Sequence, residues 1–171
     1  MQLRKRYDDN LRELKEWRQP WPLNATNYKL DYVIGDGMFG LVWKGHVFDT
    51  TSKYNKWPVA IKISSFDIVT ASKSMQETRN EIFVMSKCHH KSIMNYHVSF
   101  IYDKDLWIVM PFIEGGSMRS LLNERFKDGI LDEVLLASIL KMLLEGLSYL
   151  HSLSIVHRDI KSSNMLVHGD G

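Results

Sequence analysis

The sequence predicts an α+β fold with its strands first: a five-stranded antiparallel sheet and one helix up to about residue 113, then helices. Three observations carry it. Residues 28–34 alternate and run through a cluster of glycines straight into a second β-rich stretch. Two apolar runs, Val98–Tyr102 and Leu106–Met110, are separated only by Asp103-Lys104-Asp105. Beyond Gly116 the apolar spacing changes from every second residue to every third and fourth, as helices require.

Taken in order, residues 1–19 form a charged preface in which Arg4, Asp8, Arg12 and Glu16 alternate in sign at four-residue spacing beside a thin stripe of Leu3, Tyr7, Leu11 and Leu14. That pattern is a solvated helix, or else one that docks on a neighbour, and Pro20 and Pro22 end it. Tyr28–Ile34 is the first strand, and Leu41-Val42-Trp43 opens the second. Val59-Ala60-Ile61-Lys62 is the third, delivering a lysine beside a small alanine. Ser74–Cys88 reads as a helix, with Ile82 and Met85 on its apolar side and Glu77 and Glu81 four apart on a polar one. The two runs around Asp103-Lys104-Asp105 make a hairpin, and Pro111–Gly116 is a connector ending in flexible glycines. Ser117–Phe126 is a short helix. Asp132–Leu150 is a longer one whose leucines cover most of its circumference, so protein must surround it. The expected organisation is a charged helix and linker over 1–27 and one domain over 28–171, divided near residue 113.

Chemistry gathers in two places. His157-Arg158-Asp159-Ile160-Lys161-Ser162-Ser163-Asn164 sets a base, a cation and a metal-ligating amide in one short loop. Transfer of a phosphoryl group asks for those functions: Asp159 to take a hydroxyl proton, Lys161 to neutralise phosphate, Asn164 to hold Mg²⁺. Earlier, Gly35-Asp36-Gly37-Met38-Phe39-Gly40 joins two strands, so backbone N–H groups can approach phosphate oxygens beneath a β-flap. A dinucleotide-binding turn shares the glycine spacing but opens a helix and carries an acidic residue about 20 positions on. Here β-branched and aromatic residues follow. Lys62 needs a carboxylate partner to be more than a rim charge, and Glu77 or Glu81 can supply one, Glu81 being favoured.

With the glycine loop, Val-Ala-Ile-Lys, a helix glutamate and His-Arg-Asp in that order, residues 28–171 resemble the amino-terminal two-thirds of a eukaryotic protein kinase domain. The resemblance implies two lobes joined near Met110 that close around Mg·ATP. It makes Lys62 and Glu81 the active-state ion pair, Asp159 the acceptor of the substrate proton, Lys161 the γ-phosphate lysine of serine/threonine kinases, and Asn164 a ligand of the second Mg²⁺. Met110 becomes the gatekeeper and 111–113 the hinge, where the Pro111 carbonyl accepts from the adenine amine and Ile113 supplies the N–H. Ile34 to Val42, notably Ile34, Leu41 and Val42, cover the nucleotide, and Val42, Ala60 and Leu166 sandwich adenine. Met85 and Tyr96 look like core positions of a packing spine, and His157 orients the loop backbone.

Pro20-Trp21, Asn24, Tyr28, Leu30, Val33-Ile34-Gly35 and Cys88-His89-His90 narrow the likeness to sterile-20-like kinases, nearest the Fray and SPAK group. Members are similar in serving osmotic and ion-transport signalling, which implies a protein substrate bearing Ser or Thr and an upstream kinase. In the family an Asp-Phe-Gly follows His-Arg-Asp by about twenty residues. Asp170 lies in a predicted hairpin turn instead, so the 171 residues alone are expected to bind nucleotide weakly, without turnover, and to associate through an exposed leucine face.

Composition bounds the rest. Hydrophobic residues make up 44% and charged residues 25%, a globular balance, and a net charge of +2 gives no nucleic-acid surface. The single cysteine excludes a disulfide framework and suits a reducing compartment. Adjacent Cys88, His89 and His90 cannot converge on one metal ion. No apolar run is expected to span a membrane, so a cytoplasmic location is inferred.

Overall fold

A computed structural model describes residues 21–37, 40–65, 82, 86 and 88–168. These residues form two compact units, one of those up to 65 together with 97–110, the other of those from 82 to 96 together with 111–168.

The first unit is a five-stranded antiparallel sheet in the order β1-β2-β3-β5-β4. Its strands are β1 (Tyr28–Gly37), β2 (Gly40–Val47), β3 (Pro58–Ser65), β4 (Val98–Tyr102) and β5 (Asp105–Pro111). All five lie where the alternation puts them. The β4–β5 turn is one residue tighter than expected, because Tyr102 pairs with Asp105 and Asp103 takes a φ of 55°. An aspartate tolerates that left-handed conformation better than most residues.

β-Alternation gives the sheet two different faces. On one, Val47, Val59, Ile61 and Val109 have no solvent exposure and join Trp107 in a single cluster. Burying each aliphatic side chain there is worth roughly 1.5–3 kcal/mol. The segment before β1 and the β2–β3 connection cap this face with aromatic rings. Trp21 is sandwiched between Tyr54 and His97, with centroids 4.0 and 3.8 Å apart and rings within 10° of parallel. Trp57 meets Trp21 edge-on. Hydrogen bonds tie the cap down: the Tyr28 hydroxyl donates to the Pro22 carbonyl at 2.7 Å, Asn27 Nδ2 donates to Asp49 at 3.0 Å, and the Phe48 N–H donates to the Asn27 carbonyl at 2.7 Å. A 3-10 turn at Ala25–Asn27, capped by Asn24, starts the segment into β1.

Burial in this stack pushes the His97 imidazole down to about 4 from its ordinary 6.5. The folded state thus resists a proton that the unfolded chain accepts, so stability present above pH 6.5 is lost as pH falls through 6.5 towards 4. The expected loss is about 3 kcal/mol, seen as a falling denaturation midpoint across that window. His97→Phe should flatten the dependence, and an unchanged pH profile would contradict it.

The second unit holds α1 (Met118–Arg125), capped by Ser117, and α2 (Glu133–Ser152), capped by Asp132, which accepts from the N–H groups of Val134 and Leu135. Loop 88–95 grips α2. The Tyr149 hydroxyl accepts from the His89 N–H at 2.8 Å, Lys91 pairs with Glu145 at 2.7 Å, and a Cβ at Gly146 would press on Ser92 and Ile93. Ile82 and Ser86 are helical, Cys88 lies buried outside the helix, and the rest of the predicted 74–88 helix lies outside the described residues, as do residues 1–19 and Asp170.

As expected for these residues taken alone, α2 leaves a leucine face exposed: only Gly146 and Leu150 are buried, while Leu140 is 46% and Leu144 62% exposed. A second expectation about the helix is corrected. By length and hydropathy it is also long and apolar enough to cross a membrane, contrary to the reading that no run qualifies. Unbroken leucine spacing makes a core helix and a spanning helix look alike by that measure.

Candidate active site

The sheet face opposite the aromatic cap carries the central nucleotide-site candidates of the first unit, whereas Leu41, paired with Ile63, lies on the cap side. Val42 pairs with Lys62 and Lys44 with Ala60, which puts Val42, Ala60 and Lys62 on one face. Val59 and Ile61 point the other way into the capped cluster. In β5 the same alternation separates Trp107 and Val109, in the cluster, from Ile108 and Met110. Ala60 is buried, and Val42, Lys62 and Met110 are half-buried.

The glycine hairpin closes with Gly37 opposite Gly40, and Met38 and Phe39 at its tip lie outside the described residues. Gly40 has a φ of +130°, and a Cβ there would collide with the Ile63 carbonyl. Only glycine fits. β1 bends over this end through register shifts at Leu30/Tyr32 and Val33/Gly35, leaving Ile34 44% and Leu41 37% exposed. Asp36 is exposed and Gly35 half-buried. Glu81, the expected partner of Lys62, lies outside the described residues, as does Met85.

In the second unit Asp159, Lys161 and Asn164 meet in one hydrogen-bonded loop. Lys161 Nζ lies 2.8 Å from Asp159 Oδ2, and Asn164 Nδ2 donates to that oxygen at 2.9 Å and to the Asp159 carbonyl at 2.8 Å. The Lys161 hydrogen bond, followed by that from Asn164, holds the Asp159 carboxyl below its ordinary range. An ionised acceptor at neutral pH results. Asn164 spends its amide N–H₂ on Asp159, which leaves Oδ1, a hard oxygen donor of the kind Mg²⁺ takes. The loop therefore fits a Mg²⁺-bound phosphate.

Backbone geometry builds this loop. The Asp159 N–H donates to His157 Nδ1 at 3.3 Å, and Arg158 adopts a φ of 67°. For a non-glycine residue that conformation is strained, a feature found where a site fixes its backbone. A 3-10 turn at Ser162–Asn164 follows, and residues 165–167 then pair with the start of α1: Met118 donates to Met165 at 2.7 Å and Val167 to Gly116 at 2.9 Å, around a Ser117–Leu166 bridge.

This anchor escaped the sequence reading. Gly115 and Gly116 were expected as a flexible connector, yet a Cβ at Gly115 would strike the Val167 carbonyl and Gly116 has a φ of +70°. Close approach of two backbone segments at Gly115 and a left-handed backbone at Gly116, not flexibility, explain the pair. Leu166, a partner in that bridge, is 48% exposed, and Pro111 and Ile113 are half-buried.

Residues 28–171 match the family described as protein kinase domain. The chain is 36% identical to serine/threonine-protein kinase fray1 of Dictyostelium discoideum over 97% of its own length and 28% of the relative's. It is 36% identical to germinal center kinase 3 of Caenorhabditis elegans over 88% and 26%, and 35% identical to serine/threonine-protein kinase sid1 of Schizosaccharomyces pombe over 86% and 29%. The chain thus spans less than a third of the length of these relatives.

Proposed function

Because the chain belongs to the protein kinase family and resembles Ste20-like serine/threonine kinases, we propose that it transfers the γ-phosphoryl group of ATP to a serine or threonine hydroxyl of a protein. The observation that carries this reading is the hydrogen-bonded set of Asp159, Lys161 and Asn164. ATP supplies the group transferred, and Mg²⁺ neutralises charge on its phosphates.

The chain's own residues divide the work. Asp159, ionised and exposed, accepts the proton of the substrate hydroxyl. Lys161 exchanges its bond to Asp159 for one to the γ-phosphate, and Asn164 holds Mg²⁺ through Oδ1. Lys62, braced by Glu81, holds the α- and β-phosphates, and the backbone of Gly35, Asp36, Gly37, Met38, Phe39 and Gly40 covers them. Val42, Ala60 and Leu166 sandwich adenine, with Met110, Pro111 and Ile113 along its hydrogen-bonding edge and Ile34 and Leu41 in the covering hairpin. Electrostatic stabilisation of this kind is the largest part of such catalysis. Osmotic or ion-transport signalling in the cytoplasm, under an upstream kinase, is the proposed setting, by analogy with the Fray-type relatives.

The 171 residues contain no Asp-Phe-Gly, which favours a second reading for this stretch taken alone: it holds ATP or a partner without turnover. Following γ-phosphate from Mg·ATP into serine and threonine, with the full-length protein and with residues 1–171, tests both.

A further inference from the structure

We propose that Trp21 is a positioning residue for Lys62, acting through strand β3 and setting the affinity of the site for ATP; this rests on the kinase reading above.

Trp21 touches none of the site residues. It is 7% exposed and stacks between Tyr54, on the connection that leads from β2 into β3, and His97, at the entrance to β4. The His97 N–H is itself bonded to the Val109 carbonyl of β5 at 2.7 Å. Since β3 lies between β2 and β5, one indole bridges the elements on both sides of that strand. Val59 and Ile61 of β3 have no exposure and belong to the same cluster as Trp21.

Lys62 follows Ile61 and points to the other face, so it has no covalent freedom from the packing of its neighbour. A tilt or slide of β3 that moved Ile61 within that cluster would carry the Lys62 ammonium with it. Close-packed interiors transmit such shifts. The cap fixes the strand from behind, and the strand presents the lysine.

The test uses the full-length protein with Trp21→Ala, Trp21→Phe and His97→Ala, and Leu23→Ala as a control on an exposed residue of the same segment. ATP KM, kcat and amide hydrogen exchange at residues 61–63 are measured. Trp21→Ala is expected to raise the ATP KM about tenfold with kcat within about twofold, the signature of lost binding that is equal in ground and transition states. Exchange at 61–63 should accelerate. Trp21→Phe should fall between Trp21→Ala and wild type, and Leu23→Ala should match wild type. If Trp21→Ala does not fold, Trp21→Phe and His97→Ala carry the same readouts. An unchanged KM and unchanged exchange in a folded variant overturns the proposal and leaves the kinase reading standing, as does a fall in kcat at constant KM. Absence of ATP binding by the wild type overturns both.

Discussion

The Asp159→Asn substitution in the full-length protein is expected to lower phosphoryl transfer by about 10³-fold while leaving the Mg·ATP dissociation constant within about twofold, as an interaction made only in the transition state requires. Asparagine matches the carboxylate in shape, and the Asp159 carbonyl that accepts from Asn164 is untouched. What disappears is the ionised acceptor that Lys161 and Asn164 hold below its ordinary protonation range. Binding and chemistry should therefore separate. Transfer near the wild-type rate would remove Asp159 from the role of proton acceptor.

The second large effect is expected at Lys62. Saturating Mg·ATP at about 100 times its dissociation constant should add roughly 2.7 kcal/mol to the stability of the wild-type protein. Lys62→Met keeps the apolar stem but removes a charge-assisted contact worth about 1.5–3 kcal/mol, so nucleotide stabilisation should weaken and kcat/KM for transfer should fall about 10–10²-fold. Lys62 lies between Ile61 and Ile63 on a strand whose opposite face packs in the core, so comparing unliganded with liganded stability separates lost nucleotide contact from lost packing. Thermal unfolding with and without Mg·ATP reads both quantities. Equal nucleotide stabilisation and equal transfer in the variant would exclude Lys62 from the site.

Most of the sheet was legible because period-two alternation has one structural meaning when it stops at glycine or at Asp-Lys-Asp. The loop at His157–Asn164 was legible because its chemistry is contiguous in sequence. Other features depend on backbone segments far apart in the chain. Gly115 and Gly116 look flexible until residues 165–167 are seen lying against them. Trp21 reads as one more aromatic until Tyr54 and His97 close on it, from 33 and 76 residues away. The leucines of α2 announce a buried helix, but which of them are covered depends on loop 88–95, and only its Gly146 and Leu150 end is gripped. The positive φ of Arg158 left no mark in the sequence, since arginine has no preference for that region.

The central claim is tested most directly by incubating the full-length protein with Mg·ATP labelled at the γ-phosphate and a mixed protein substrate, then identifying the labelled amino acids. The account predicts phosphoserine and phosphothreonine, abolished by Asp159→Asn. Label confined to tyrosine, or serine and threonine label that persists undiminished in Asp159→Asn, would contradict it.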